Sequence, residues 1–203
     1  MAKMTLMRKL FLTGIIISIS LISSAQGRFG IKAGLNYFML QSDNSKTTDY
    51  SSGQIGFLGG LSYQLSISPR FSLQPELNLS LQKAKEDYYG TDIEMSYVQV
   101  PFLFKFNPKN SKVELYTGPQ FGFLNKADYT KPNGIPGSSS DFVQTDFGVT
   151  LGVGHVPDNP GISFDVRVYQ GLSNVLKSEY SGGIKTRPFL AAVTIGYVWG
   201  KRK

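Results

Sequence analysis

The sequence predicts an all-β chain: an eight-stranded antiparallel up-and-down transmembrane β-barrel, preceded by a cleaved signal peptide. Three observations carry this. Apolar and polar residues alternate with a period of two through eight segments, the pattern of strands with one apolar and one polar face. The connections between those segments run long, short, long, short, long, short, long, as in single-chain membrane barrels with short turns on one side and longer loops on the other. The chain begins with a basic and then apolar stretch of the length that directs export.

That stretch is Met1 to Ala25. Lys3, Arg8 and Lys9 precede the apolar run Leu10 to Ile22, and Ser23-Ser24-Ala25 puts small residues at a cleavage site before Gln26. The apolar run is short of the ~20 residues of a spanning helix. The expected organisation is therefore residues 1–25 as signal peptide and 26–203 as one barrel domain.

The strands follow in order. Phe29 to Leu40 places Phe29, Ile31, Leu35 and Tyr37 on one parity and Arg28, Lys32 and Asn36 on the other. Polar Gln41 to Gly53 reads as a loop. Gln54 to Ser68 alternates Ile55, Phe57, Leu61 and Leu65 against Gly56, Gly60, Ser62 and Gln64, and Ser68-Pro69-Arg70 turns the chain. Arg70 to Gln82 is the most regular strand, Phe71, Leu73, Leu77, Leu79 and Leu81 against Gln74, Glu76, Asn78 and Ser80. Its one blemish is Pro75, which lacks an N–H and is expected to mark a bulge or a local break in the ladder.

Lys83 to Asp92 is the second long loop. Ile93 to Phe106 sets Val98, Val100, Phe102 and Phe104 against Tyr97, Gln99, Leu103 and Lys105, and Asn107 to Ser111 is a short turn. Lys112 to Leu124 sets Val113, Leu115, Phe121 and Phe123 against Glu114, Tyr116 and Gln120. After the long loop Asn125 to Asp141, Phe142 to Val156 opposes Phe147, Val149, Leu151 and Val153 to Asp146 and a run of glycines. Pro157 to Gly161 turns into Ile162 to Leu172, with Phe164, Val166 and Val168 against Asp165, Arg167 and Tyr169. Ser173 to Thr186 is the last loop, and Arg187 to Trp199 the last strand.

A bilayer explains why these faces recur. Lipid offers no partner for a backbone amide, so a spanning sheet must close on itself. The apolar parity then faces lipid, with aromatics near both interfaces. Phe71, Phe106, Tyr197 and Trp199 fall on the short-turn side, and Tyr37, Phe57, Phe121, Phe123 and Phe189 nearer the long loops. A soluble ligand-binding barrel is the alternative, with these aromatics as its core. These features place the chain in the outer membrane, exported through its signal peptide. The 203 residues contain no cysteine, which excludes both a disulfide framework and a lipid-modified N-terminus.

The formal charge of +7 does not indicate nucleic acid. Lys3, Arg8 and Lys9 contribute three and Lys201, Arg202 and Lys203 another three, so the body carries 7 − 3 − 3 = +1. No basic stripe interleaved with aromatics is present.

Several strings have a family likeness. FSLQPEL at Phe71 to Leu77, YVQVPFLFKFN at Tyr97 to Asn107, Tyr116 to Phe121, DFGVTLGVG at Asp146 to Gly154 and SFDVRVYQGLSN at Ser163 to Asn174 together resemble the PorT-like outer-membrane β-barrel family of Bacteroidetes, over essentially the whole mature chain. The resemblance implies a small eight-stranded outer-membrane barrel and little about activity, although the namesake is linked to a protein-secretion system. The family usually carries an acid where Gln99 stands. Gly196-Tyr197-Val198-Trp199 is similar to the aromatic end-strand signal read by barrel-assembly machinery, here followed by Gly200 to Lys203.

The inward parity carries a polar network of Lys32, Glu76, Gln99, Lys105, Glu114, Asp146, Asp165 and Arg167. Opposed charges close to one axis are expected to pair, since an unpaired buried charge is costly, and an eight-stranded lumen is only wide enough for its own side chains. The expectation is a structural plug; a narrow pore or a secretion-system accessory is the alternative. No catalytic, cofactor or metal site is expected. His155 is the single histidine and lies on the lipid-facing parity away from the inner carboxylates, and a metal centre on one His and no Cys has too few ligands. Gly152-x-Gly154 sits within a strand and reads as room for close packing, not as a phosphate cradle. Expected partners are outer-membrane lipids, the barrel-assembly machinery and an extracellular or envelope protein reached through the long loops, with no nucleic acid.

Overall fold

The computed structural model describes residues 27–42, 51–86, 91–108, 111–130, 136–137, 139–175 and 185–201. The expected signal peptide and the tips of the long loops lie outside the described residues. The strands are β1 (Gly27–Ser42), β2 (Ser51–Ser66), β3 (Phe71–Glu86), β4 (Thr91–Phe106), β5 (Val113–Thr130), β6 (Pro136–Gly137), β7 (Thr145–His155), β8 (Gly161–Gly171) and β9 (Thr186–Trp199). All pairings are antiparallel, β1 pairs with β9, and β4 pairs with β5, so eight strands close into a barrel while β6 adds two residues beside β5. Closure leaves no sheet edge exposed to lipid.

The predicted parity holds on every wall. Phe29, Ile31, Phe57, Leu79, Phe104, Leu151, Phe164 and Ile195 are exposed on the outside, whereas Asn36, Glu76, Asn78, Gln99, Glu114 and Arg167 are buried inside. This inversion excludes the soluble ligand-binding alternative, because a soluble barrel would bury its apolar parity. A girdle marks the short-turn end: Phe29 stacks on Trp199 at 5.7 Å, Tyr197 meets Trp199 at 4.9 Å, and Phe71 meets Phe106 at 5.2 Å. Leu77 is half exposed within the apolar belt, beside Leu61. A charge there has no water to reach, so Leu77→Arg is expected to lower folding stability in vesicles by about 2–4 kcal/mol, read from the urea midpoint. An unchanged midpoint would place Leu77 outside the hydrocarbon.

Two differences from the sequence reading matter, and at Pro75 the structure decides between two expected outcomes. First, β3 and β4 continue into the segment expected as the loop Lys83 to Asp92, and β5 runs six residues past the expected end at Leu124, to Thr130. The alternation continues there with charged residues outside, Lys83, Lys85, Glu94, Lys126 and Asp128. A charged outer face reads as loop in a sequence, but here it is a wall standing above the lipid. Lys83–Glu94 and Lys126–Asp128 pair on that wall at 2.5 Å each. Second, Phe142 is not on a strand. It follows a 3-10 turn, Ser139–Asp141, and is buried; β7 starts only at Thr145.

Of the bulge or local break expected at Pro75, the structure shows the break. On the β2 side pairing lapses between Ser62↔Glu76 and Leu65↔Leu73, yet the register is the same above and below. The register shifts occur elsewhere, between Gly53 and Phe57 and between Ser96 and Tyr97. A proline removes one donor but does not by itself add a residue to its strand.

Candidate functional site: the barrel lumen

The lumen divides into two chemically different parts. Across its waist lies a charged network, and the register explains its assembly. Alternation turns Lys32 of β1, Glu76 of β3, Glu114 of β5 and Arg167 of β8 inward, and closure brings them together. Glu76 is the hub. Its Oε2 accepts from Lys32 Nζ at 2.6 Å, Arg167 Nη1 at 2.8 Å and Asn78 Nδ2 at 3.1 Å; its Oε1 accepts from Gln74 Nε2 at 2.7 Å and Arg167 Nη2 at 3.2 Å. The Arg167–Glu76 contact is the bidentate fork that guanidinium and carboxylate geometry favours. Arg167 Nε also donates to Asp165 Oδ1 at 2.7 Å, and the Tyr116 hydroxyl donates to Asp165 Oδ2.

A second cluster joins this one. Glu114 accepts from Lys105 Nζ at 3.1 Å and Gln64 Nε2 at 3.0 Å, and Gln64 also reaches Ser72 Oγ at 2.9 Å. The Tyr116 ring bridges the clusters, with Lys105 Nζ 5.3 Å and Arg167 Cζ 5.4 Å from its centroid. Both distances are within cation–π range. Tyr116 has room because Gly152 stands opposite it: a Cβ there would lie 2.4 Å from the ring carbon Cζ. The DFGVTLGVG glycines thus serve packing. Gly148 does the same for Tyr169, whose ring would be 2.6 Å from an added Cβ.

Asp146 sits apart from the hub. It accepts from Ser173 Oγ at 2.7 Å and from the Tyr169 hydroxyl. Gln99 is buried between Asn78 of β3 and Gly122 of β5. Six of the eight sequence-selected residues, Lys32, Glu76, Lys105, Glu114, Asp165 and Arg167, therefore meet at the waist; Asp146 and Gln99 line the wall. Sequence selection passed over Tyr116 and Tyr169, which sit on the inward parity but look like packing residues. It also passed over Arg28, which is buried on that parity and donates to the Pro157 carbonyl at 2.5 Å, tying β1 to the β7–β8 turn.

The long-loop end of the lumen is apolar, a feature the alternation does not announce. Phe38, Leu40, Ala84, Ile93, Met95, Tyr97, Leu124, Ala127, Tyr169, Leu190 and Ala192 form its wall, and Phe142 and Val175 enter from the loops. Tyr129 packs edge-on against Phe142 at 5.6 Å and its hydroxyl donates to Asp141 Oδ2 at 2.5 Å. Val143 N donates to Val175 O at 2.8 Å and Val175 N to Thr186 O at 2.9 Å, so the two loop segments hold each other and β9. The lumen is thus a polar plug beneath an apolar cap.

His155 lies on the outward parity, paired in register with Val113 and Phe164. Among the described residues no group of three or more His, Asp and Glu side chains is placed to hold a metal ion.

A closed eight-stranded sheet with an apolar exterior and a packed polar waist defines a transmembrane β-barrel. The chain belongs to the outer membrane protein beta-barrel domain family, whose model matches residues 24–177. It is an outer-membrane protein. Solved barrels share the fold at low identity. Neisserial surface protein A aligns with a TM-score of 0.55 at 18% identity, over 83% of this chain and 96% of that one. Ail, the attachment invasion locus protein of Yersinia pestis, solved in complex with the heparin analogue sucrose octasulfate, aligns with a TM-score of 0.53 at 17% identity, over 86% of this chain and 99% of that one. No curated protein matches the chain.

Proposed function

We propose that the protein is a non-conducting, non-enzymatic barrel of the outer membrane with a structural or surface-interaction role. The observation that carries this is the bonded waist: Glu76 and its four donor residues, Lys32, Gln74, Asn78 and Arg167, span from β1 to β8 across the lumen. The apolar cap adds a second obstruction, since hydrated ions do not cross a dry hydrophobic constriction without cost. Planar-bilayer recording of the refolded protein is expected to show no current steps above baseline. Resolved open steps would overturn the plug in favour of the narrow pore.

Interaction falls to the outward loops and the wall beneath them, since loops on a rigid scaffold commonly carry binding. The complex of Ail with a heparin analogue makes polyanion binding worth testing. The wall itself does not favour it: Lys83, Lys85 and Lys126 are interleaved with Asp92, Glu94 and Asp128, so no single-sign surface forms there. Outer-membrane lipids and the barrel-assembly machinery are the other partners, the latter through the terminal strand with exposed Tyr197 and Trp199. Within the family, the strings from Phe71 to Asn174 support a place among the PorT-like barrels. An accessory role in a secretion system is the second reading, and co-purification from native membranes tests both.

A further inference from the structure

Between the waist network and the short-turn mouth the lumen retains a cavity of about 30 Å³. That is room for one small ion or about two water molecules. Arg28, Lys32, Lys105 and Arg167 line it, against one carboxylate, Asp165. Asp165 is already engaged: Oδ1 accepts from Arg167 Nε at 2.7 Å and Thr194 Oγ1 at 3.4 Å, and Oδ2 accepts from Tyr116. The ammonium groups are in the opposite condition. Each can donate three hydrogen bonds, whereas Lys32 donates to Glu76 and Lys105 to Glu114 among the described residues. Their side chains are only 9% and 6% exposed, so bulk water does not take up the remainder.

Four cationic side chains against one carboxylate make the wall positive, with Ser62, Gln64, Gln74 and Ser163 among its neutral polar groups. Water can bond to the neutral groups but does not offset the charge of the wall. A cation would meet four positive side chains. Arg28, Lys32, Lys105 and Arg167 set against Glu76, Glu114 and Asp165 leave 4 − 3 = 1 positive charge, which favours a monovalent anion over phosphate or sulfate. We propose that the cavity binds one small monovalent anion of chloride size on the Lys32 and Lys105 ammonium groups, with the Arg28 and Arg167 guanidinium groups completing its positive wall. This goes beyond the plug reading, since an anion can reside in a lumen that does not conduct.

The test uses the refolded full barrel in detergent. Crystals grown in sodium bromide are expected to show an anomalous peak inside the cavity, next to Lys32 and Lys105. Replacing chloride with isethionate, an anion too large to enter, at equal ionic strength is expected to lower the apparent unfolding temperature by roughly 2–4 °C. The double variant Lys105→Gln with Glu114→Gln, which removes the donor without stranding its carboxylate, is expected to lose both effects. A cavity containing only water, or bromide found solely on the surface, overturns the proposal. If the variant does not fold, the wild-type bromide map decides alone.

Discussion

Arg167→Met is expected to destabilise the barrel by about 3–5 kcal/mol, the usual cost of breaking one side of a buried ion pair. Arg167 gives two hydrogen bonds to Glu76 and one to Asp165, and its side chain is 3% exposed. Removing it leaves Glu76 with Lys32 as its one cationic partner at the waist, and leaves Asp165 with the Tyr116 and Thr194 hydroxyls. Glu76, whose side chain is fully buried, cannot recover solvation from water. Trp199 is the single tryptophan and sits in the short-turn girdle, so its fluorescence reports urea unfolding in vesicles. The midpoint should fall while the slope stays the same, the signature of lost stability rather than altered compactness. The control is Lys126→Ala on the outer wall. Its pair with Asp128 is about two-thirds exposed on both sides, and exposed pairs contribute little. If the two variants shift the midpoint equally, the waist is not a structural unit.

Phe142→Ala is expected to cost about 3–5 kcal/mol, the range for deleting a buried phenylalanine, and to act at the other end of the lumen. Phe142 is 2% exposed and packs edge-on against Tyr129. Truncating it removes the loop's main contribution to the apolar cap. The loss should appear first as local opening, with faster amide exchange at Val143 and Val175, whose backbone atoms bond each other. Conductance should remain at baseline, because the waist network is built from residues that do not touch Phe142. Current steps in Phe142→Ala alone would assign the seal to the cap and not to the charges.

The alternation made the strand count, the facing of each wall and the lipid belt legible from residues alone. Leu73, Leu77 and Leu79 could be assigned to lipid, and Glu76 and Asn78 to the lumen, because the direction of a strand side chain depends only on its parity. The same logic failed where alternation lost its apolar partner. Lys83 to Glu86 and Asn125 to Thr130 are strand, but their outward residues meet water, so polarity there imitated a loop. Phe142 departs in the other direction: an aromatic next to a strand reads as part of it, although the chain uses it to cap the lumen.

The contents of the lumen were half legible. Parity selected Lys32, Glu76, Lys105, Glu114, Asp165 and Arg167 as inward, but it could not pair them. Glu76 and Arg167 are 91 residues apart in the chain, and their fork depends on the register of every strand between them and on the β1–β9 closure. The role of Tyr116 as a bridge likewise depends on Gly152 standing opposite it. Which way a residue faces is a local property of a pleated chain, and the sequence by itself determined it here. Which residues meet across the axis, where the charges end and the apolar cap begins, and the cavity they leave were decided only by the closed barrel. Distance across a lumen is set by register and closure, and neither is encoded in any single strand.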